Sequence, residues 1–216
     1  MDMKDIAEKL QQGRAKDVCA LVQQALDAGV PALTILKEGL MPGMAVVGEA
    51  FKNGEAFVPE VLVAARAMGK GAALLKPHLA AAGVKASGKV CLGTVKGDLH
   101  DIGKNLVKMM LESKGLEVID LGVDVAPETF VKTAKEQGCG IICCSALLTT
   151  TMPVMGDVVK AVEAAGLKGR VKVMIGGAPI NEAFCREIGA DIYTEDATSC
   201  AERAVAAFAD GEAGRA

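Results

Sequence analysis

The sequence predicts an α/β chain in two parts: a four-helix bundle, then a five-stranded parallel sheet with helices on both faces. Three observations carry this. Up to about residue 82 apolar residues recur at helical spacing. Beyond residue 88 short apolar runs alternate with amphipathic stretches of ordinary helical length. A Gly-Val-Lys-Ala-Ser-Gly segment at 83–88 separates the two regimes. The expected domains are therefore 1–87 and 88–216, with 83–88 as linker.

In the first part Ile6 and Leu10 define one apolar stripe, and Val18, Leu21, Val22, Ala25 and Leu26 a second. Gly13 and Gly29-Val30-Pro31 punctuate them, and Pro31 suits the first turn of a helix. A third segment runs from Pro31 to about Phe51, with Pro42-Gly43 expected to break or kink it. Lys52-Asn53-Gly54-Glu55 reads as a turn. Pro59 then opens a long helix through Val61, Leu62, Ala65, Met68, Ala72 and Leu75. Four helices with short connections make a small bundle.

In the second part the strands are read at 90–95, 117–121, 140–145, 171–175 and, more weakly, 191–194. Helices are read at 104–114, 127–137, 151–165, 179–188 and 198–209. This alternation favours the Rossmann-like, flavodoxin-like strand order 2-1-3-4-5, with its switch point between strands one and three. The turns at 98–103, 145–151 and 176–178 are then expected to meet at one sheet edge.

Composition excludes several partners. Among 216 residues 51% are hydrophobic and 24% charged, the balance of a chain with a core to bury. Aromatics make up 3%, and the formal net charge is −3. Both argue against nucleic acid, which asks for stacking rings and cations. No apolar run reaches the length of a membrane span, and the N-terminus lacks the pattern of a signal peptide. The seven cysteines, an odd number mostly in apolar runs, suit reduced thiols in a cytoplasm.

The chemistry concentrates at Gly97-Asp98-Leu99-His100-Asp101-Ile102-Gly103, where the first strand hands over to a helix. An imidazole there is placed to ligate a metal through one ring nitrogen. Asp98 would accept the proton of the other, and Ser145 would extend that relay. Gly103 permits close approach of a bulky group, or serves ordinary packing at the helix start. Gly176, Gly177, Ala178 and Ser145 remove bulk from the strand ends and leave a slot. Asp101 is read as the N-cap of the helix from Ile102, or as a ligand contact. His78, after Pro77, reads as a surface residue near a helix C-terminus. Cys139, Cys143 and Cys144 lack metal-ligand spacing and read as core.

The pattern Asp98-x-His100-x-x-Gly103, followed by Ser145-x-Leu147 and Gly176-Gly177, resembles the base-off, His-on cobalamin-binding domain. That family includes the cobalamin domain of methionine synthase and the corrinoid proteins of methyltransferase systems. The stretches 43–51 and 57–62 are similar to the helical cap that shelters the upper face of methylcobalamin. The resemblance implies a corrinoid cofactor with His100 as lower cobalt ligand in place of the cofactor's own base. It implies contacts from Gly97, Asp98, Asp101, Ile102, Gly103, Ser145, Leu147, Thr149, Gly176, Gly177 and Ala178, and from Met44 and Val47 in the cap.

The activity so implied is that of a methyl carrier, a non-catalytic subunit. It would serve a substrate-specific methyltransferase and a second one that uses tetrahydrofolate or a thiol. A reductive activator is a further partner the resemblance allows. Three alternatives stand beside it. One is a cobalamin-dependent sensor without methyl transfer. Another is a metalloenzyme holding a small ion directly through Asp98, His100 and Asp101. The third is a flavin or nucleotide binder, disfavoured by the lack of a phosphate-cradling loop.

Overall fold

In the computed structural model, which describes residues 2–84, 86–211 and 213–214, the change of sequence period is a change of architecture. Lys85, inside the expected linker, lies outside the described residues. The chain divides into two units, Met1–Lys85 and Ala86–Ala216.

The first unit is helical. It comprises α1 (Met3–Gln11), α2 (Ala15–Asp27), α3 (Ala32–Thr34), a π-helical turn (Ile35–Leu40), α4 (Met41–Lys52) and α5 (Val58–Ala81). The Asp2 side chain caps α1 by accepting from the Lys4 amide. Ile6, Leu10, Val18, Val22, Ile35, Leu40, Val61 and Leu75 bury completely. The break expected at Pro42-Gly43 does not occur, because α3, the π turn and α4 run on as one rod. In the wider turn the Met41 amide bonds the carbonyl of Leu36, five residues back, which carries the helix past the donor that Pro42 lacks. Gly43 has a packing role instead. A Cβ there would stand 2.9 Å from the backbone of Ala7, so its absence sets how closely α4 lies on α1.

The second unit is a parallel sheet in the order β2-β1-β3-β4-β5, the order read from the sequence. Its strands are β1 (Lys89–Val95), β2 (Glu117–Val125), β3 (Ile141–Ser145), β4 (Lys172–Gly176) and β5 (Ile192–Tyr193). Between them run α6 (Ile102–Ser113), α7 (Pro127–Gln137), α8 (Pro153–Ala164) and α9 (Glu182–Ile188), and α10 (Ala197–Ala209) follows. Central β1 and β3 are buried along nearly their whole length, as strands covered on both faces must be. Register places Thr94 beside Ser145, and Ser145 beside Gly176, so β1, β3 and β4 end level.

Two boundaries depart from expectation for local reasons. Helix α9 begins later than 179 because the Asn181 side chain caps it through the Phe184 amide. Strand β2 continues to Val125, past the expected 121, by taking two register shifts against β1.

Candidate functional site

The β1–α6 turn, the β3–α8 turn and the end of β4 do meet at one edge. Gly97 opens the first turn at φ +85°, a conformation that suits glycine. The chain then folds back so that the Asp98 side chain is fully buried while the His100 side chain remains 51% exposed. His100 Nδ1 lies 2.7 Å from Asp98 Oδ1, which also accepts the His100 amide at 3.1 Å. Thr94 Oγ1 donates to the His100 carbonyl at 2.8 Å and fixes the far side of the turn.

The second oxygen of Asp98 faces the β3–α8 turn. It accepts from the Leu147 amide at 2.8 Å, the Leu148 amide at 3.3 Å and Thr151 Oγ1 at 2.8 Å. Burial raises the pKa of such a carboxyl. Here the Leu147 amide, the His100 ring and amide and the Thr151 hydroxyl outweigh it and hold Asp98 well below the usual carboxylate range. Ionised Asp98 makes Nδ1 the donor, and in the neutral tautomer this favours, Nε2 carries a lone pair. Such an arrangement orients an imidazole as a ligand.

The hydroxyl that reaches Asp98 is that of Thr151. Ser145 is the last residue of β3, level with Thr94 and Gly176, and the turn beyond it curls back to bring Thr151 onto the carboxylate. Asp101 occupies the N-cap position of α6 without capping it, because its Oδ2 accepts from the Asn105 side chain at 3.1 Å. Thr149 lies exposed in the β3–α8 turn, and Ala178 exposed after β4.

The glycines separate into two kinds. A Cβ on Gly177 would fall 1.9 Å from the Ala146 carbonyl oxygen, and one on Gly176 3.3 Å from that of Thr194. Their small size is demanded by the protein's own packing. Gly103 is different, since a Cβ there would meet nothing within 4 Å. No contact inside the chain explains its lack of a side chain, which leaves room for an outside group.

The turn that bears His100 and the turn facing Asp98 both expose apolar side chains. The exposed large hydrophobics of the sheet unit are Leu99 (72%), Ile102 (71%), Leu147 and Leu148, all on the two turns that Asp98 joins. A cluster of this kind marks a place where an apolar body sits. Met44 and Val47 are buried, and the exposed hydrophobics of the helical unit are Val46, Phe57 and Val63. His78 is exposed in the last turn of α5. Six of the seven cysteines are buried and all are free, as their apolar setting implied.

Residues 88–204 match the B12 binding domain family, and residues 3–76 match a second B12 binding domain family. The chain is 42% identical over 202 residues to dimethylamine corrinoid protein 3 of Methanosarcina acetivorans, covering 94% of each. It is 40% identical over 205 residues to a corrinoid protein of Desulfitobacterium hafniense, covering 94% of this chain and 95% of that one. This chain belongs to the B12-binding corrinoid proteins.

Among solved structures, this corrinoid protein resembles a chain of the methanol:cobalamin methyltransferase complex of Methanosarcina barkeri. The TM-score is 0.84 at 31% identity, over 94% of this chain and 78% of that one. A cobalamin-binding protein from Desulfitobacterium hafniense matches with TM-score 0.79 at 34% identity, over 94% and 97%. The direct small-ion reading loses its donors, because Asp98 and Asp101 are engaged within the protein. Among the described residues no group of three or more His, Cys, Asp or Glu side chains could hold a metal ion. None of the described helices is long and apolar enough to cross a membrane.

The residues that sequence reasoning missed are Thr94, Leu148 and Thr151. Thr94 could have been found as the lone hydroxyl at the end of an apolar strand. Thr151 could have been weighed above Thr149, since it precedes Met152-Pro153 at the helix start.

Proposed function

We propose that this chain carries a methyl group on a corrinoid, with His100 as the lower cobalt ligand in the base-off, His-on mode. The observation that carries the reading is the Asp98–His100 pair, with Nδ1 engaged at 2.7 Å and the ring half-exposed, on turns that also expose Leu99, Ile102, Leu147 and Leu148. The residues fit the group: an oriented imidazole to ligate, an apolar rim to seat the ring, and an unfilled approach at Gly103. When bound, the corrinoid supplies a cobalt centre that accepts a methyl group from one methyltransferase and yields it to another.

The protein's own part is to orient, hold a proton and release. Asp98 Oδ1 keeps the Nδ1 proton and so leaves Nε2 basic. When the ligand is no longer needed, Nε2 can take up a proton while Nδ1 stays bonded. Gly97, Asp101, Ile102, Ser145, Leu147, Thr149, Gly176, Gly177 and Ala178 are the remaining proposed contacts of the sheet unit. Contacts through Met44 or Val47 require those buried side chains to become exposed. The partners are a substrate-specific methyltransferase and a second one using tetrahydrofolate or a thiol, with a reductive activator. Relatives named for dimethylamine and trimethylamine, and the methanol complex, support the carrier role without choosing the donor.

The test is spectroscopic. The chain loaded with hydroxocobalamin shows the absorbance of a histidine-ligated corrinoid, and His100→Ala removes it. An unchanged bound spectrum in His100→Ala overturns the ligation.

A further inference from the structure

We infer that Asp124, at the kinked end of β2, is a positioning residue for the ligand turn. The inference rests on the reading of His100 as ligand and assigns the brace that keeps it in place from the side opposite Thr151. Asp124 is not proposed to touch the cofactor; it acts through Gly97 and Asp98.

The observation begins with register. Leu92 pairs with Asp120, Gly93 with Gly122 and Val95 with Val125, so β2 takes up extra residues twice before it ends. Bulges of this kind re-aim a strand and turn residues off the ladder. Gly122 accordingly stands at φ +81°. Asp124 stands at φ +55° and is the one non-glycine residue with positive φ among the described residues. A side chain in that region is disfavoured and persists where its surroundings hold it there.

What holds it is the ligand turn. Asp124 Oδ1 accepts the Gly97 amide at 2.7 Å. The Asp124 amide donates to the Asp98 carbonyl at 3.0 Å. One residue thus grips the Lys96–Gly97 and Asp98–Leu99 peptide groups, which bracket the Gly97–Asp98 step. The other bonds on Asp98 come from its own turn and from the β3–α8 turn, so Asp124 supplies the hold from β2.

The first bulge is itself fastened. Asp120 Oδ1 accepts the Gly122 amide at 3.0 Å and Lys104 Nζ at 2.7 Å, while Lys108 Nζ reaches Oδ2 at 3.2 Å. Lys104 is 2% exposed, so this is a committed interior contact. Lys104 Nζ also donates to Asn105 Oδ1 at 2.8 Å, and the Asn105 amide group donates to Asp101 Oδ2 at 3.1 Å. Hydrogen bonds therefore run from Asp101 through Asn105, Lys104 and Asp120 into the kinked strand. They return through Asp124 to Gly97 and Asp98. The turn that bears His100 is enclosed by this circuit, and Asp124 closes it.

Three substitutions separate the side chain from the backbone conformation. Asp124→Asn keeps an acceptor at Oδ1 and tolerates a left-handed backbone. Asp124→Gly relieves the conformation and removes the acceptor. Asp124→Ala removes the acceptor and keeps the strain. With hydroxocobalamin bound, we expect Asp124→Asn to keep the histidine-ligated spectrum. Asp124→Gly and Asp124→Ala should lose at least half of it, although Asp124→Gly resists heat better than Asp124→Ala. A wild-type spectrum in Asp124→Gly overturns the inference.

His100→Ala run alongside tells the two claims apart, since an unchanged spectrum there removes the ligation and not the brace. The brace is then read without cofactor. Amide hydrogen exchange over residues 97–101 should quicken at least tenfold in Asp124→Gly and stay near wild type in Asp124→Asn. Unchanged exchange in Asp124→Gly overturns the brace on its own.

Discussion

The helical unit and the sheet unit bury different chemistry. Among the described residues the buried polar and charged side chains are Thr94, Asp98, Lys104, Ser113, Thr151, Thr194 and Thr198, all in the sheet unit. The interior of the helical unit is aliphatic, with Ile6, Leu10, Val18, Val22, Ile35, Leu40 and Leu75 at its centre. An aliphatic interior accepts many arrangements of similar volume. A buried hydrogen-bond network accepts one. Thr94, Asp98, Lys104 and Thr151 all bond the ligand turn or the circuit around it, so most of this buried polar chemistry gathers at one end of the sheet. The helical unit supplies volume and surface; the sheet unit supplies position.

The largest effect is expected where the backbone itself is the constraint. Gly177→Ala sets a Cβ 1.9 Å from a carbonyl oxygen at φ +138°. Overpacking and backbone strain together cost about 4 kcal/mol, read by urea denaturation. A loss under about 1 kcal/mol would show that the β3 and β4 ends yield easily. Next comes Asp98→Ala, which leaves the Leu147 amide without its acceptor and the Thr151 hydroxyl with only the Leu148 carbonyl. It should cost about 3 kcal/mol and abolish the histidine-ligated spectrum. Stability lost with the spectrum intact would separate the frame from the ligand.

Acid offers a graded version of the same test. Asp98 titrates below its usual range when folded, so the unfolded chain takes up the proton first. Its contribution is complete above about pH 5 and drains away as pH falls below about 4. The stability gap between wild type and Asp98→Asn should narrow over that window. A constant gap would contradict the assignment.

The smallest effects sharpen the contrast most. Thr151→Val removes one donor to Asp98 and should cost about 1 kcal/mol while shifting the bound spectrum. Leu10→Met, in the helical interior, should cost under about 1 kcal/mol and leave the spectrum alone. Equal spectral shifts in both would erase the division of labour.

Much of this was legible in the sequence, and the remainder fails for nameable reasons. Periodicity sufficed for four helical rods and five strands, and alternation sufficed for their order. The Asp98–His100 pair was legible because a two-residue spacing keeps both side chains within one turn. The bond from Thr151 to Asp98 was not legible, because the path of a turn decides which hydroxyl reaches a carboxylate, and nothing periodic encodes that path. The sequence ends β2 at Leu121 because its apolar run stops there, before Gly122 and Asp124. Gly122 and Asp124 lie at the two register shifts and keep the strand in the sheet. Pro42-Gly43 looked like a stop because the rule for proline assumes an α turn, and here the turn before it is wider.

The two oxygens of Asp98 are assigned to different neighbours, and this bears on how a ligand can come and go. If the imidazole swings away, Oδ1 gives up only the ring and keeps the His100 amide, while Oδ2 retains both leucine amides and the threonine hydroxyl. The carboxylate works as a clutch whose housing stays bolted when the plate disengages. On the proposed ligation, repeated release of the histidine need not loosen the fold, and re-engagement would start from a seat already in place.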